Sequence, residues 1–198
     1  MKLPESFYQR QNVVQIAKEL LGKTIHTMVD HLHTSAMITE VEAYSGTNDK
    51  ACHANNGVRT NRTEVMYAKG GHAYVYLCYG IHHLFNVVTN VEDVADAVLI
   101  RAVQPLEGVD TMLSRRNRTK VEKTLSSGPG TLSQALGIKT NVHYGEWLLG
   151  NRVWIEEGET IQEQDMITST RIGVDYAEED ALKPWRFYIR DSSWISKK

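Results

Sequence analysis

The stretch GHAYVYLCYGIHHLFNVVTNV, residues 71–91, constrains the fold most, because it is long, largely apolar and free of formal charge. A stretch of about 20 uncharged residues is in principle long enough to cross a bilayer. This one, however, contains histidines and asparagines, has Gly80 in its middle, and alternates aromatic with aliphatic residues at a period of two. That alternation is typical of buried strands. We therefore predict two strands that turn near Gly80 as a protruding β-hairpin, and no transmembrane helix.

Helix and strand signals on either side of this hairpin do not alternate regularly. A helix is predicted between its N-cap, Asn12, and its stop at Gly22, with Gln15 in the position of a capping box. Residues 45–60, rich in Gly, Asn, Thr and Asp, indicate a long loop, which in a compact domain is more often functional than idle. The other predicted elements are strands at 23–30, 35–44, 96–103, 153–157, 166–173 and 186–190, a turn at 31–33, a short helix at 63–68, a helix beginning over 105–116, and a short helix ending at Leu136.

This irregular order predicts an α+β fold with a curved, mixed but mainly antiparallel sheet flanked by short helices. At 198 residues and 41% hydrophobic content, the chain is predicted to form a single compact domain over residues 1–198. Its two cysteines, Cys52 and Cys78, are too few for a disulfide framework. Together with an N-terminus that lacks a signal-peptide pattern, they favour a cytoplasmic protein of bacterial type.

Formal charge neither excludes nor selects nucleic acid as the partner. The net charge of −2 argues mildly against a DNA-binding protein, because such proteins usually have a basic surface. However, residues 156–180 hold nine acids and one base, so the remainder of the chain carries +6. The densest basic run covers residues 115–123, and it fits a solvated loop as well as a phosphate-contacting segment.

The segment TEVEAYSG, residues 39–46, combines acids with an aromatic residue on one predicted strand. Because side chains alternate along a strand, Glu40, Glu42 and Tyr44 share one face. Composition alone favours a solvated outer face with two ordinary surface acids. The strand leads directly, however, into the long loop that holds His53. A carboxylate followed by an aromatic residue two positions later can place a base beside a flat stacking surface, which suits hydrolysis next to a planar ring.

A second group of aromatic residues lies in the predicted hairpin. Tyr74 and Tyr76 point to one side of the strand, and Tyr79 lies at the turn, where Gly80 can adopt an unusual backbone angle. Tyrosines in a strand are more often core or interface residues than ligand-binding ones, because aromatic residues favour strands in general. From these residues alone, packing and binding both remain open.

Taken in order, these segments resemble the 3-methyladenine (alkyladenine) DNA glycosylase family. The resemblance covers nearly the whole chain, and the ordered set is highly specific although each piece is short. The matching pieces are residues 40–44 with Gly46, 49–53, Thr60 with Arg62 and Met66, 74–76, Tyr79 and Gly80, Asn86, 98–102, 105–108, 127–129, 171–174, 183–184 and 186–188.

The resemblance implies an α+β enzyme of base-excision DNA repair that hydrolyses the N-glycosidic bond of alkylated purines flipped out of duplex DNA. It implies a monofunctional glycosylase without lyase activity, which leaves an abasic site. The implied substrates are 3-methyladenine and 7-methylguanine, extending to hypoxanthine and ethenoadenine. We expect a monomer that acts on double-stranded DNA at the nucleoid, without a membrane, a cofactor or a metal.

The resemblance also implies roles for individual residues. Glu42 is similar to the carboxylate that deprotonates the attacking water, and Arg101 to the residue that helps to hold that water. The implied pocket for the extruded base consists of Tyr44, His53, Tyr76 and Asn86, of which Asn86 is a rim residue that screens purines by their exocyclic group.

A wedge at the hairpin tip completes the expected site. Tyr79 is similar to the side chain that the family inserts into the minor groove, on a tip formed with Gly80, Ile81 and His82. Some relatives carry larger or aromatic groups after the glycine, so this tip departs from their pattern. The sequence identifies no acid that would protonate a neutral leaving purine, and the protonation state of His53 is open.

Two other classes of protein fit parts of the sequence. A metal-dependent hydrolase would use the eight histidines, but His31 with His33 and His82 with His83 lack the i, i+4 helical spacing or the cysteine pairs of strong metal motifs. A non-catalytic reader of damaged DNA would flip bases without cutting. Such a protein has no use for a buried acid such as Glu42 near its ligand.

Overall fold

The computed structural model describes residues 1–197, so position 198 of the predicted domain lies outside the described residues. Its strands are β1 (Thr24–Val29), β2 (Leu32–Tyr44), β3 (Ala73–Cys78), β4 (His82–Thr89), β5 (Asp96–Glu107), β6 (Val153–Glu156), β7 (Met166–Ser169) and β8 (Arg186–Ile189). They form one sheet in the order β3-β4-β5-β2-β1-β6, in which β8 also pairs with β2, and β7 with β8. Every pairing between these strands is antiparallel. The predicted α+β class with a mainly antiparallel sheet is confirmed.

Short helices flank the sheet. The α-helices are α1 (Glu5–Tyr8), α2 (Val13–Leu20), α3 (Val109–Arg115), α4 (Pro129–Leu136) and α5 (Thr140–His143), and 3₁₀ segments cover Asn55–Gly57, Glu64–Tyr67, Lys123–Leu125, Glu163–Asp165 and Asp175–Leu182. At the start of α2, the Asn12 side chain accepts a hydrogen bond from the backbone N–H of Gln15 at 3.0 Å. Gly22 follows the end of this helix with φ +79°. Both predicted boundary signals of α2 are therefore confirmed.

The hydrophobic core lies on one face of the sheet. Val41 and Ala43 of β2 and Val98 and Ile100 of β5 are buried there beneath α2 and α4. Burying an aliphatic side chain of this size contributes roughly 1.5–3 kcal/mol. Because side chains alternate along a strand, Glu42 points from the same strand to the opposite face. On that opposite face, Ala51 of the loop at 45–60 packs with Val174 and Ala177, and the Ile172 N–H reaches Glu42.

The predicted β-hairpin is confirmed. β3 and β4 pair as far as Cys78 and His82, so Tyr79, Gly80 and Ile81 form the turn. At this tip Tyr79 has φ +50°, in the left-handed region that non-glycine residues rarely enter. Tyr79 is 92% exposed and Ile81 is 71% exposed. The uncharged stretch is thus a protruding hairpin, and no helix within residues 1–197 is long and apolar enough to cross a membrane.

The prediction of the first turn at 31–33 is wrong in position. In the structure this turn consists of Asp30 and His31, whose φ values are +53° and +62°. Two successive positive φ values are typical of a two-residue hairpin turn that matches the twist of its strands. β2 therefore begins at Leu32 and not at position 35.

The helix predicted to begin at Pro105 is also wrong at its start. Residues up to Glu107 continue β5, and the helix begins only at Val109, after Gly108. Pro105 lies opposite Ala36 next to a register irregularity between β2 and β5. A proline is tolerated in a sheet at such an irregularity, because its missing N–H breaks no regular ladder there. The strand predicted at 166–173 likewise ends earlier, at position 169.

Candidate active site

The Glu42 carboxylate is buried beneath the segments that cover the second face of the sheet. Its exposed fraction is 0%. The Tyr44 hydroxyl donates to Oε2 at 2.7 Å, and Arg101 Nη1 donates to the same oxygen at 3.2 Å. The backbone N–H of Ile172 donates to Oε1 at 2.8 Å. These donors compensate a buried negative charge, and the solvated outer face that composition favours is wrong.

The Tyr44 hydroxyl acts as a donor in this network. Burial and the neighbouring Glu42 carboxylate raise the pKa of Tyr44 well above its ordinary value of 10. The phenol therefore keeps its proton at neutral pH. Its hydrogen bond holds the Tyr44 ring, one of the predicted pocket rings, beside the Glu42 carboxylate.

A second buried carboxylate, Glu40, lies on the other side of Arg101. It accepts hydrogen bonds from Arg101 Nε at 3.3 Å, from Arg186 Nη1 at 2.9 Å and from the Ser196 hydroxyl at 2.8 Å. Burial by itself lowers the pKa of Arg101, but the carboxylates of Glu42 and Glu40 outweigh it and raise that pKa above the ordinary value. Arg101 is thus a permanent cation shared by two acids.

The two acids differ in their relation to a cleft of about 370 Å³ that opens on this face. Tyr44, Arg101 and Ile172, which are the hydrogen-bond partners of Glu42, all line the cleft. Of the side chains bonded to Glu40, only Arg101 lines it. Glu42 is therefore the acid nearer to the cleft.

Three aromatic side chains of the predicted base pocket line this same cleft. They are Tyr44, His53 and Tyr76. The His53 ring meets the Tyr76 ring edge-on, with centroids 4.8 Å apart. The cleft volume falls within the usual range of small-ligand pockets, roughly 300–1,000 Å³. The fold thus brings residues from β2, β3 and the long loop to one cavity beside Glu42.

His53 is a neutral member of this cavity. Burial, followed by the nearby charge of Arg62, lowers the pKa of His53 from 6.5 to about 4. Its Nδ1 lies 2.9 Å from the Tyr74 hydroxyl, and burial raises the pKa of Tyr74 to about 12. His53 and Tyr74 therefore form a hydrogen bond as two uncharged groups at neutral pH.

Asn86 lies behind the aromatic wall and not at the rim of the cleft. It is 4% exposed, and its Nδ2 donates to the Tyr74 carbonyl at 3.0 Å. Together with Tyr44 and His53 it lines a separate cavity of about 20 Å³. The screening role of Asn86 stays a prediction.

The residues predicted to enter DNA divide between two sides of the hairpin. Tyr79 borders the cleft, whereas Ile81 and His82 line a second groove of about 520 Å³ together with Arg115 and Lys139. Gly80 lies in the open turn, where a Cβ would meet nothing within 4 Å. Their insertion into DNA stays a prediction.

The basic run at 115–123 is only partly available to phosphates. Arg115 Nη1 donates to the Ala135 carbonyl at 3.2 Å, and Arg116 Nε donates to the Leu125 carbonyl at 3.2 Å. These two arginines join α3 to α4 and to the preceding turn. The exposed cations of the run are Arg118, Lys120 and Lys123.

A buried ion pair that the sequence did not predict joins the two segments that cover the site, the loop at 45–60 and the segment at 170–185. Arg171 donates to both oxygens of Asp49, at 2.6 and 2.7 Å, and both side chains are fully buried. Its guanidinium also lies 4.8 Å from the Tyr44 ring centroid. Both residues belong to the matching segments, but their pairing has no local signal because 122 positions separate them. The pair fixes Ile172, the next residue, where its N–H can reach Glu42.

Known proteins are similar in sequence to this chain over almost its whole length. A sequence model of the methylpurine-DNA glycosylase family matches residues 6–193. A protein of Natranaerobius thermophilus is 43% identical over 197 residues, covering 99% of each chain. Proteins of Alkaliphilus oremlandii and Bacillus thuringiensis are 43% identical over 205 residues and 45% identical over 207 residues, with 100% of each chain covered. The names of these three relatives assign them 3-methyladenine DNA glycosylase activity.

The matched residues include the sheet, the hairpin and both segments that cover the acid. The protein is therefore of the DNA glycosylase class, whose members are hydrolases of DNA repair. The chain belongs to the methylpurine-DNA glycosylase family. The family resemblance drawn from the ordered motifs is therefore confirmed.

The Asp49→Asn substitution tests the buried ion pair. It should lower the free energy of unfolding by roughly 3–5 kcal/mol, because Arg171 would keep a buried charge without its counterion. Urea denaturation followed by circular dichroism measures the change. As the matched control, Lys50→Gln alters the adjacent residue, whose ammonium pairs with Glu178 and Glu179 at the surface, and should leave stability unchanged. Equal stability of both variants would contradict the structural role of the pair.

Proposed function

We propose that this chain is a monofunctional DNA glycosylase that releases alkylated purines, 3-methyladenine and 7-methylguanine among them, from duplex DNA. The observation that carries the proposal is the buried Glu42 carboxylate, which three donors hold beside an aromatic cleft. An acid held at this position can take a proton from a water molecule in the cleft, which is the step that hydrolysis requires. The proposed product is an abasic site.

The glycosidic bond of a paired purine is hidden in the stacked duplex, so the nucleotide must first rotate out. Extrusion costs a few kcal/mol, and stacking on an aromatic ring returns about 1–3 kcal/mol per base. Tyr44, His53 and Tyr76 supply rings for that purpose. Tyr79, exposed at the hairpin tip, fills the vacated position and keeps the duplex from closing.

Hydrolysis then needs a water beside the anomeric carbon and a group that takes its proton. Glu42 is that base, and Arg101 holds the water, because both Tyr44 and Arg101 connect Glu42 Oε2 to the cleft. The anionic carboxylate also stabilises the oxocarbenium-like transition state. Cationic lesions such as 3-methyladenine stack favourably on tyrosine faces and leave without being protonated first.

The Glu42→Gln substitution removes the proposed base without changing the size of the side chain. We expect the variant to bind lesion-containing duplex as the wild type does and to release 7-methylguanine at least about 100-fold more slowly, as for loss of a general base. Single-turnover release of free base at saturating enzyme, with binding measured in parallel, gives both quantities.

Glu64→Gln serves as the matched control for Glu42→Gln, since Glu64 is an exposed acid that pairs with Arg59 outside the cleft. It should release base at the wild-type rate. Full turnover by Glu42→Gln would remove Glu42 from the proposed role. Lesion binding by the wild type without any free base would identify a non-catalytic reader of damaged DNA.

The Tyr79→Ala substitution tests the wedge. We expect base release to fall more for a lesion in a well-paired context than for the same lesion opposite a mismatch, because a mismatched base costs less to extrude. Leu182→Ala removes another exposed apolar side chain and should leave both rates unchanged. Equal losses in the two contexts would contradict the wedge role of Tyr79.

Borohydride trapping tests the proposed absence of lyase chemistry. No lysine lines the cleft within residues 1–197, so we expect no covalent imine between the protein and an abasic site. The wild-type protein is incubated with lesion duplex and borohydride, and the products are separated under denaturing conditions. A trapped protein–DNA adduct would show that the enzyme is not monofunctional.

A further inference from the structure

Arg62 is a cation that the proposed mechanism leaves without a role. Its guanidinium lies 4.7 Å from the centroid of the Tyr76 ring. Its Nη2 is 2.8 Å from His53 Nε2, and its Nε donates to the Tyr74 hydroxyl at 3.3 Å. Arg62 also lines the cleft itself. It therefore touches two of the rings proposed to hold the base and has direct access to the cavity.

The charge of Arg62 is not compensated locally. Within the part of the chain that the structure describes, residues 1–197, no carboxylate lies within ion-pair distance of its guanidinium. Arg101, the other arginine in the lining, is already shared by Glu40 and Glu42. His53 stays neutral because its pKa is lowered to about 4. Among the described residues, the aromatic side of the cleft thus carries one positive charge that no carboxylate compensates.

That charge matters because purine lesions leave with different charges. Hydrolysis breaks the bond between N9 and C1′, and the electron pair departs with the base. Water forms the new bond to C1′, and its proton passes to Glu42. A cationic base such as 7-methylguanine becomes neutral when it takes the pair. A neutral base such as hypoxanthine becomes an anion, which then takes up a proton from solvent, while Glu42 releases the proton it received from the water.

We infer that Arg62 is a specificity-determining residue that favours the release of neutral purines over cationic ones. Its guanidinium stabilises the negative charge that develops on a neutral leaving purine, in a site of low dielectric where such stabilisation is strong. The same charge repels a base that is already cationic when it enters the cleft. This inference rests on the proposed function, and it supplies the group that the sequence does not identify for neutral lesions.

The Arg62→Gln substitution tests the inference through a ratio of rates. Single-turnover release at saturating enzyme is measured on duplexes that carry one hypoxanthine or one 7-methylguanine in the same sequence. We expect the ratio of the hypoxanthine rate to the 7-methylguanine rate to fall at least about tenfold, as for loss of a donor that acts on developing charge. Arg62→Lys keeps the charge on a different side chain and should restore much of the ratio.

Arg59→Gln is the matched control. It removes the same charge three positions earlier in the chain, but Arg59 pairs with Glu64 and Asp93 and does not line the cleft. Its ratio should equal that of the wild type. An unchanged ratio in Arg62→Gln, or no hypoxanthine release by the wild type, would overturn the role of Arg62 while leaving the proposed function intact. Release of neither base by the wild type would overturn the proposed function itself.

Discussion

Two carboxylates on neighbouring positions of one strand face, Glu40 and Glu42, are removed entirely from solvent, and their charge has to be compensated within the protein. Burying an unpaired carboxylate costs several kcal/mol. Arg101 lies between the two acids and is shared by them. The remaining oxygen capacity is filled by donors from the C-terminal segments, including the backbone N–H of Ile172. The segments that cover this face of the sheet are therefore held in place by the acids they cover.

This compensation also organises the cleft. The Tyr44 hydroxyl that bonds to Glu42 orients an aromatic ring at the cavity wall, and the buried pair of Arg171 and Asp49 holds the covering segment against that ring. The acid side of the cavity is balanced by Arg101, whereas Arg62 leaves the aromatic side positive. This charge asymmetry is the basis of the selectivity that we infer for Arg62.

Local patterns predicted much of the architecture. The period-two alternation at 71–91 identified a hairpin and excluded a membrane helix, because alternation records which side chains face a sheet surface. The cap at Asn12 identified the start of α2. The same reasoning failed at Pro105, where pairing with β2 outweighed the preference of proline for a helix start. It failed again for the strand face of Glu42, because composition carries no information about loops that return from 130 positions away.

The sequence by itself determined the family, the hairpin with its exposed tip, and the shared face of Glu42 and Tyr44, since these follow from ordered motifs and from strand geometry. The tertiary structure alone decided that all the hydrogen-bond partners of Glu42, and of the Glu40 side-chain partners only Arg101, line the cleft. It alone joined Asp49 to Arg171 and brought Arg62 onto the rings of the hairpin. Such contacts depend on how segments far apart in the chain pack together, and the spacing of residues along the sequence does not determine that packing.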